Sequence, residues 1–191
     1  LLLLLLLALL ALIFLYFLIF YPGRVPFAPR KPVEFLFSIY GLNRPLGVST
    51  DKDNNIYVSD TGNERVLVFD SGGDYVRRIG TEKKPTKLFA VYGSVVDDKN
   101  GRIYIADWTF RVIHVFNLKG KFLYRFPKAS FGPNYGLLGF TPYDIDLYKG
   151  KMYITSNDGI LVFSPKGKFL QRWGQKGREI GFYDFPNGLV I

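Results

Sequence analysis

The sequence predicts an all-β body of repeated four-stranded blades, a partial β-propeller, behind one N-terminal transmembrane helix. Three observations predict it. Residues 1–21 carry no charge, no Gly and no Pro. A triplet recurs downstream as Ile56-Tyr57-Val58, Ile103-Tyr104-Ile105 and Met152-Tyr153-Ile154, at spacings of 47 and 49 residues (103 − 56 and 152 − 103). Around each triplet, short alternating apolar runs are bounded by Asp, Asn and Gly clusters, the pattern of strands joined by tight turns.

The first element is the apolar run LLLLLLLALLALIFLYFLIFY, residues 1–21. At about 1.5 Å per residue it reaches about 30 Å as a helix, the thickness of a bilayer's hydrocarbon core. A cleaved signal peptide has a shorter apolar core of about 7–15 residues and small residues at its cut site. This run is longer and ends in Ile19-Phe20-Tyr21-Pro22-Gly23, so it reads as an uncleaved anchor. Tyr16 and Tyr21 suit an interfacial belt. The downstream flank carries Arg24, Arg30 and Lys31, and by itself would hold the body inside. The chain opens on Leu1, and a basic flank upstream of it would place the body outside. The second orientation is the expectation: single-pass, with an extracytoplasmic body.

Residues 22–32 form a Pro-rich linker, and the blades occupy 33–191. All 25 Lys and Arg and all 16 acids follow the apolar run, so the full +9 charge sits on the body. Such a surface favours anionic partners. The absence of Cys excludes a disulfide framework, a thiolate metal site and a lipid-modified cysteine anchor.

The first repeat unit runs from Arg44, the second from Tyr92, the third from Thr141, and a fourth begins at Phe185. In the first, LGVST, NIYVSD, RVLVFD and DYVRRIG read as four strands. The turns of the later units, KNGR, LKGK, YKGK and SPKGK, place Gly where positive φ is needed. The units resemble NHL repeats, a blade type of six-bladed β-propellers. The resemblance rests on Pro45, Gly47 and Val48, on the D-x-x-N-x-I-Y-V-x-D run from Asp51 to Asp60, and on N-x-R-V-x-V-F from Asn63 to Phe69. The second unit departs from it at Tyr92-Gly93-Ser94 and at Asp107-Trp108-Thr109-Phe110. The third has Asp144 in the Gly position.

The resemblance implies a ring of six blades, on the order of 300 residues at about 45 per blade. Three units and a stub therefore read as part of a longer chain. VEFLFSIYG, residues 33–41, resembles the fourth-strand segments KFLYRFP and KFLQRWG. It is expected to be an outer strand that latches the ring.

His114, the one histidine, falls at the Leu67 position of the repeat and reads as a polar residue on a strand surface. Some propellers resembling this one are lyases that hold a metal through several histidines, and a single His does not supply that set. No catalytic residue, metal site or cofactor is expected. Asp51, Asp53, Asp60, Asp97, Asp98 and Asp107 recur at equivalent turns, where Asp bonds local backbone N–H groups. Their spacing does not fit an EF-hand.

Trp108, Phe110 and Arg111 replace small turn residues and have the composition of an interface. With them we group Lys83, Lys84 and Lys87 of the basic segment 81–87, and Tyr135 of the Gly-rich connection 127–140, as a partner-binding rim. The function expected is a non-enzymatic scaffold or accessory subunit that binds other proteins in a membrane complex, with the bilayer contacted through residues 1–21. An enzyme with its catalytic residues elsewhere is the alternative, and binding of an anionic polymer or nucleic acid is a second. Nucleic acid is the less favoured partner, because the basic residues are spread over turns with little aromatic interleaving.

Overall fold

A computed structural model describes residues 2–20, 34–81, 83, 85–127, 140–157 and 159–191. The chain divides into two compact units, Leu1–Leu36 and Phe37–Ile191. The first contains helix α1, Leu2–Phe20, with no acidic or basic residue in its first or last turn. Its 19 residues rise about 28 Å, slightly less than the roughly 30 Å of a hydrocarbon core. Among the described residues no helix is long and apolar enough to cross a membrane. The transmembrane anchor expected over 1–21 is therefore corrected to an apolar helix.

The second unit contains three antiparallel four-stranded sheets, each a meander in chain order. Blade 1 is β1 (Pro45–Thr50), β2 (Ile56–Asp60), β3 (Arg65–Phe69) and β4 (Tyr75–Ile79). Blade 2 is β5 (Val91–Asp97), β6 (Arg102–Asp107), β7 (Val112–Asn117) and β8 (Phe122–Phe126). Blade 3 is β9 (Pro142–Tyr148), β10 (Lys151–Ser156), β11 (Gly159–Phe163) and β12 (Phe169–Trp173).

The registers confirm the repeat. Val58 pairs with Leu67, Ile105 with His114 and Ile154 with Leu161. Packing between blades supplies the core. Tyr57, Val66, Val68 and Ile79 of blade 1 meet Ile103, Ile105 and Phe116 of blade 2. Tyr104, Ile113, Val115 and Phe126 of blade 2 meet Met152, Ile154, Leu161 and Phe163 of blade 3. The middle strands are thus covered on both faces and read as nearly continuous apolar runs.

Two expectations at the ends of the body change. Residues 34–40 form no strand. Ile39 and Leu42 instead pack with Val58, Leu67 and Phe69 on a face of blade 1. Chain lying on a sheet's face, rather than along its edge, cannot enter the hydrogen-bonded ladder. Residues 185–191 also form no strand, but they are fastened to β9. Leu189 N–H donates to Asp144 Oδ2 at 3.0 Å, and Ile191 N–H donates to Asp146 Oδ2 at 2.7 Å.

Candidate functional site

The innermost strands β1 and β5 approach so closely that a side chain does not fit between them. A Cβ on Gly47 would collide with the Tyr92 carbonyl oxygen, and one on Gly93 would collide with Asp144. The Gly of the repeat therefore sets blade spacing. In blade 3 that position is Asp144, whose carboxylate accepts from its own neighbour Ile145 N–H at 2.9 Å and from Leu189 N–H. Burial pushes the Asp144 carboxyl above its ordinary range, against the lowering effect of those two N–H groups.

One buried carboxylate recurs at the end of the second strand. In blade 1, Asp60 accepts from Asn43 N–H at 2.6 Å, Asn63 Nδ2 at 2.8 Å and Arg65 Nε at 2.8 Å. Burial opposes its charge, but these donors outweigh that and hold Asp60 below the usual carboxylate range. In blade 2, Asp107 accepts from Phe89 N–H at 2.8 Å and Phe110 N–H at 3.0 Å. Each acid ties its turn to the segment entering the blade. Between blades, Thr61 Oγ1 donates to the Val91 carbonyl. Trp108 N–H donates to the Ala90 carbonyl at 2.9 Å.

These fastenings shape a cleft of about 330 Å³ between blades 1 and 2, lined by Arg44, Leu46, Glu64, Phe89, Tyr92 and Trp108. Trp108 is 41 % exposed. A second cleft, of about 340 Å³, shares Leu46 and Tyr92 and continues past Tyr143 and Asp144 to Asn187. The Tyr92 and Tyr143 rings meet edge to face at 5.6 Å. The lining of the first cleft combines aromatic side chains with one cation, Arg44, and one anion, Glu64, a composition suited to a peptide or flat polar ligand.

The expected rim residues separate. Trp108 lines the cleft. Phe110 is half-buried and is not in the lining; it stands edge-on to Phe89 at 5.6 Å and to His114 at 6.0 Å, so it supports the turn. Arg111 is exposed and takes a positive φ of 55°, as Glu64 does at the equivalent turn of blade 1 with 54°. Lys87 places its Nζ 4.6 Å from the centre of the Phe89 ring. Lys83 lies in a small turn whose carbonyl accepts from Thr86 N–H at 3.1 Å. Lys84, Tyr135 and most of the 127–140 connection lie outside the described residues. Arg44, Phe89 and Tyr92 were not expected at the site. Tyr92 had been legible only as a departure from the repeat.

His114 is corrected. It is completely buried, because the strand face it occupies is covered by the adjoining blade. The turn reading holds at Asp51, Asp97 and Asp107, whereas Asp53 accepts from Lys52 Nζ, Asp98 accepts from Lys52 N–H of the blade 1 turn at 2.9 Å, and Asp60 takes its backbone N–H from Asn43. Asp51 accepts from Asp53 N–H, Asn55 N–H, Asn55 Nδ2 and Tyr57 O–H. Burial raises the Asp51 carboxyl, yet these bonds bring it below its ordinary value. Burial and the Asp51 charge push the Tyr57 hydroxyl up to about 12. Among the described residues no group of three or more His, Cys, Asp or Glu is placed to hold a metal.

The family model for the NHL repeat matches residues 42–69. No curated protein matches the chain in sequence. In structure it is similar to hydrazine synthase from Kuenenia stuttgartiensis, with a TM-score of 0.54 at 10 % identity, over 74 % of this chain and 38 % of that one. It is also similar to a streptogramin B lyase, with a TM-score of 0.52 at 15 % identity, over 66 % of this chain and 39 % of the other. A protein of unknown function from Bacteroides caccae gives 0.51 at 18 % identity, over 65 % and 47 %. The chain thus spans less than half the length of each. At these identities the likeness shows the fold. With three four-stranded blades in the described residues, the chain has the fold of a partial β-propeller, and the NHL-repeat match covers β1 to β3 of its first blade.

Proposed function

We propose that this chain is a non-enzymatic binding subunit of a membrane-associated complex, which grips another protein in the cleft around Trp108. The cleft carries the proposal. An exposed Trp beside Phe89, Tyr92 and Leu46, with Arg44 and Glu64 alongside, has the composition of a binding hot spot. The membrane half of the reading rests on residues 1–21, which contain no charge. A helix apolar on every side has no polar face to turn to water and is stable only when fully surrounded. The reading sets the apolar helix against a bilayer without crossing it, with the blades in an extracytoplasmic compartment.

The test is native mass analysis of the chain extracted with mild detergent, next to a Trp108→Ala variant. A discrete heteromeric particle that the variant loses supports the proposal. A monomer in both samples counts against it.

A second reading, binding of an anionic polymer, draws on the +9 charge and would show as affinity falling steeply with salt. The enzymatic alternative draws only on the names of the hydrazine synthase and the lyase.

A further inference from the structure

The pentapeptide Lys-Gly-Lys-Phe-Leu occurs twice, at residues 119–123 and 166–170, in equivalent β-hairpins of blades 2 and 3. Two of its residues are required by the fold. Gly120 and Gly167 both turn at a φ of +81°. Phe122 and Phe169 pack into the core, each 5.6 Å from the Phe of the preceding strand, Phe116 and Phe163. The two lysines and the leucine are exposed in both copies, so packing does not explain their recurrence.

The leucine sits in a special place. The ladder slips between Val115 and Phe116 and again between Val162 and Phe163. Each slip leaves one extra residue on the outermost strand. Those residues are Leu123 and Leu170, 41 % and 42 % exposed. A bulge on an edge strand turns its extra side chain away from the ladder. Natural edges are usually blunted with charge at such places. Here the edge carries an aliphatic residue with lysines before it and Arg125 or Arg172 two positions after it.

Segments 117–126 and 164–173 contain three basic residues each and no acid. Among the described residues no ion pair engages Lys119, Lys121, Lys166 or Lys168. Blade 1 breaks the pattern. Its hairpin reads Asp70-Ser71-Gly72-Gly73-Asp74, although Val76 occupies the same bulge and is 44 % exposed.

We propose that the outer edge of blades 2 and 3 is a docking surface for an anionic lipid bilayer. The lysines would sit among headgroup phosphates and carboxylates, and Leu123 and Leu170 would dip into the boundary below them. Basic residues set beside exposed aliphatic ones suit that layered chemistry. The inference rests on the membrane half of the proposed function and is independent of the Trp108 cleft.

The chain has no cysteine, so Leu123→Cys, Leu170→Cys and Val76→Cys can each carry a single spin label. The full chain is placed on vesicles of phosphatidylcholine alone, or of phosphatidylcholine with phosphatidylserine in equal parts. Collision with a water-soluble nickel chelate is then measured. Labels at 123 and 170 should become about tenfold less accessible on the anionic vesicles. High salt should reverse the protection, because charges are screened within about 3 Å at 1 M. The label at 76 should not change. Joint replacement of Lys119, Lys121, Lys166 and Lys168 by Gln should abolish the protection.

Equal exposure of all three labels on both vesicles overturns the proposal. So does protection that appears only when polyglutamate is added, which would mark an acidic polypeptide as the occupant. Failure of the chain to associate with neutral vesicles would instead count against the apolar helix as an anchor, while the anionic vesicles still test the blade edge.

Discussion

The carboxylate of Asp107 lies 3.5 Å from Nε2 of His114, and both side chains are completely buried between blades 1 and 2. Neither imidazole nitrogen makes a hydrogen bond. The equivalent residues in blades 1 and 3 are Leu67 and Leu161. A buried polar atom without a partner costs about 1–3 kcal/mol. His114→Leu should therefore raise stability by about 1 kcal/mol, read as a higher urea midpoint, since Asp107 keeps its bonds from Phe89 and Phe110. His114→Ala should lower it by about 2 kcal/mol, because it leaves a cavity.

Blade spacing depends on Gly47 and Gly93. Gly47→Ala should cost about 2–3 kcal/mol or prevent folding, because the added methyl group meets backbone that cannot move aside. Gly101 also has positive φ, at 63°, but nothing lies within 4 Å of an added Cβ. Gly101→Ala should cost only about 1 kcal/mol. Thermal unfolding of the two variants side by side checks the order.

Asp60 and Asp51 both titrate below their ordinary value in the fold. Their contribution is complete above the unfolded value of about 3.9 and is lost as pH falls through the lower folded value. Stability should thus fall as pH drops below about 4. Asp60→Ala should lose about 2–3 kcal/mol at neutral pH and show a shallower acid limb. Urea midpoints across an acid series measure both.

Asp144 should act as a clasp for residues 185–191. Asp144→Ala removes the acceptor for Leu189 N–H, and that amide should then exchange hydrogen several-fold faster while β10 and β11 keep their protection. The shift of Asp144 has the opposite sign from that of Asp60. Its folded value is raised, so its favourable contribution is complete at low pH and is lost as pH rises through that value.

Much of the fold was legible because a blade repeats its own grammar. The triplets at 56, 103 and 152 gave the period, and the Gly-centred turns gave the strand ends. Packing between blades was harder to read. Alternation placed His114 on a surface, yet its counterpart Leu67 is itself buried, and that was the available signal. VEFLFSIYG has the composition of an outer strand, but pairing depends on a free edge beside it, which composition does not encode. The site was half legible. Trp108 stood out as a departure from the repeat. Arg44 and Tyr92 join it from positions far apart in the chain, through blade packing that no local motif specifies.

The most direct test of the central claim is hydrogen exchange of the chain alone and within the heteromeric particle proposed for it, with and without Trp108→Ala. Binding in the cleft should slow exchange at residues 61–64, 89–92 and 107–111 in the complex. The variant should lose both that protection and the partner while keeping its strands protected. Equal exchange at these residues in the free and assembled states, or an intact complex with Trp108→Ala, would contradict the account.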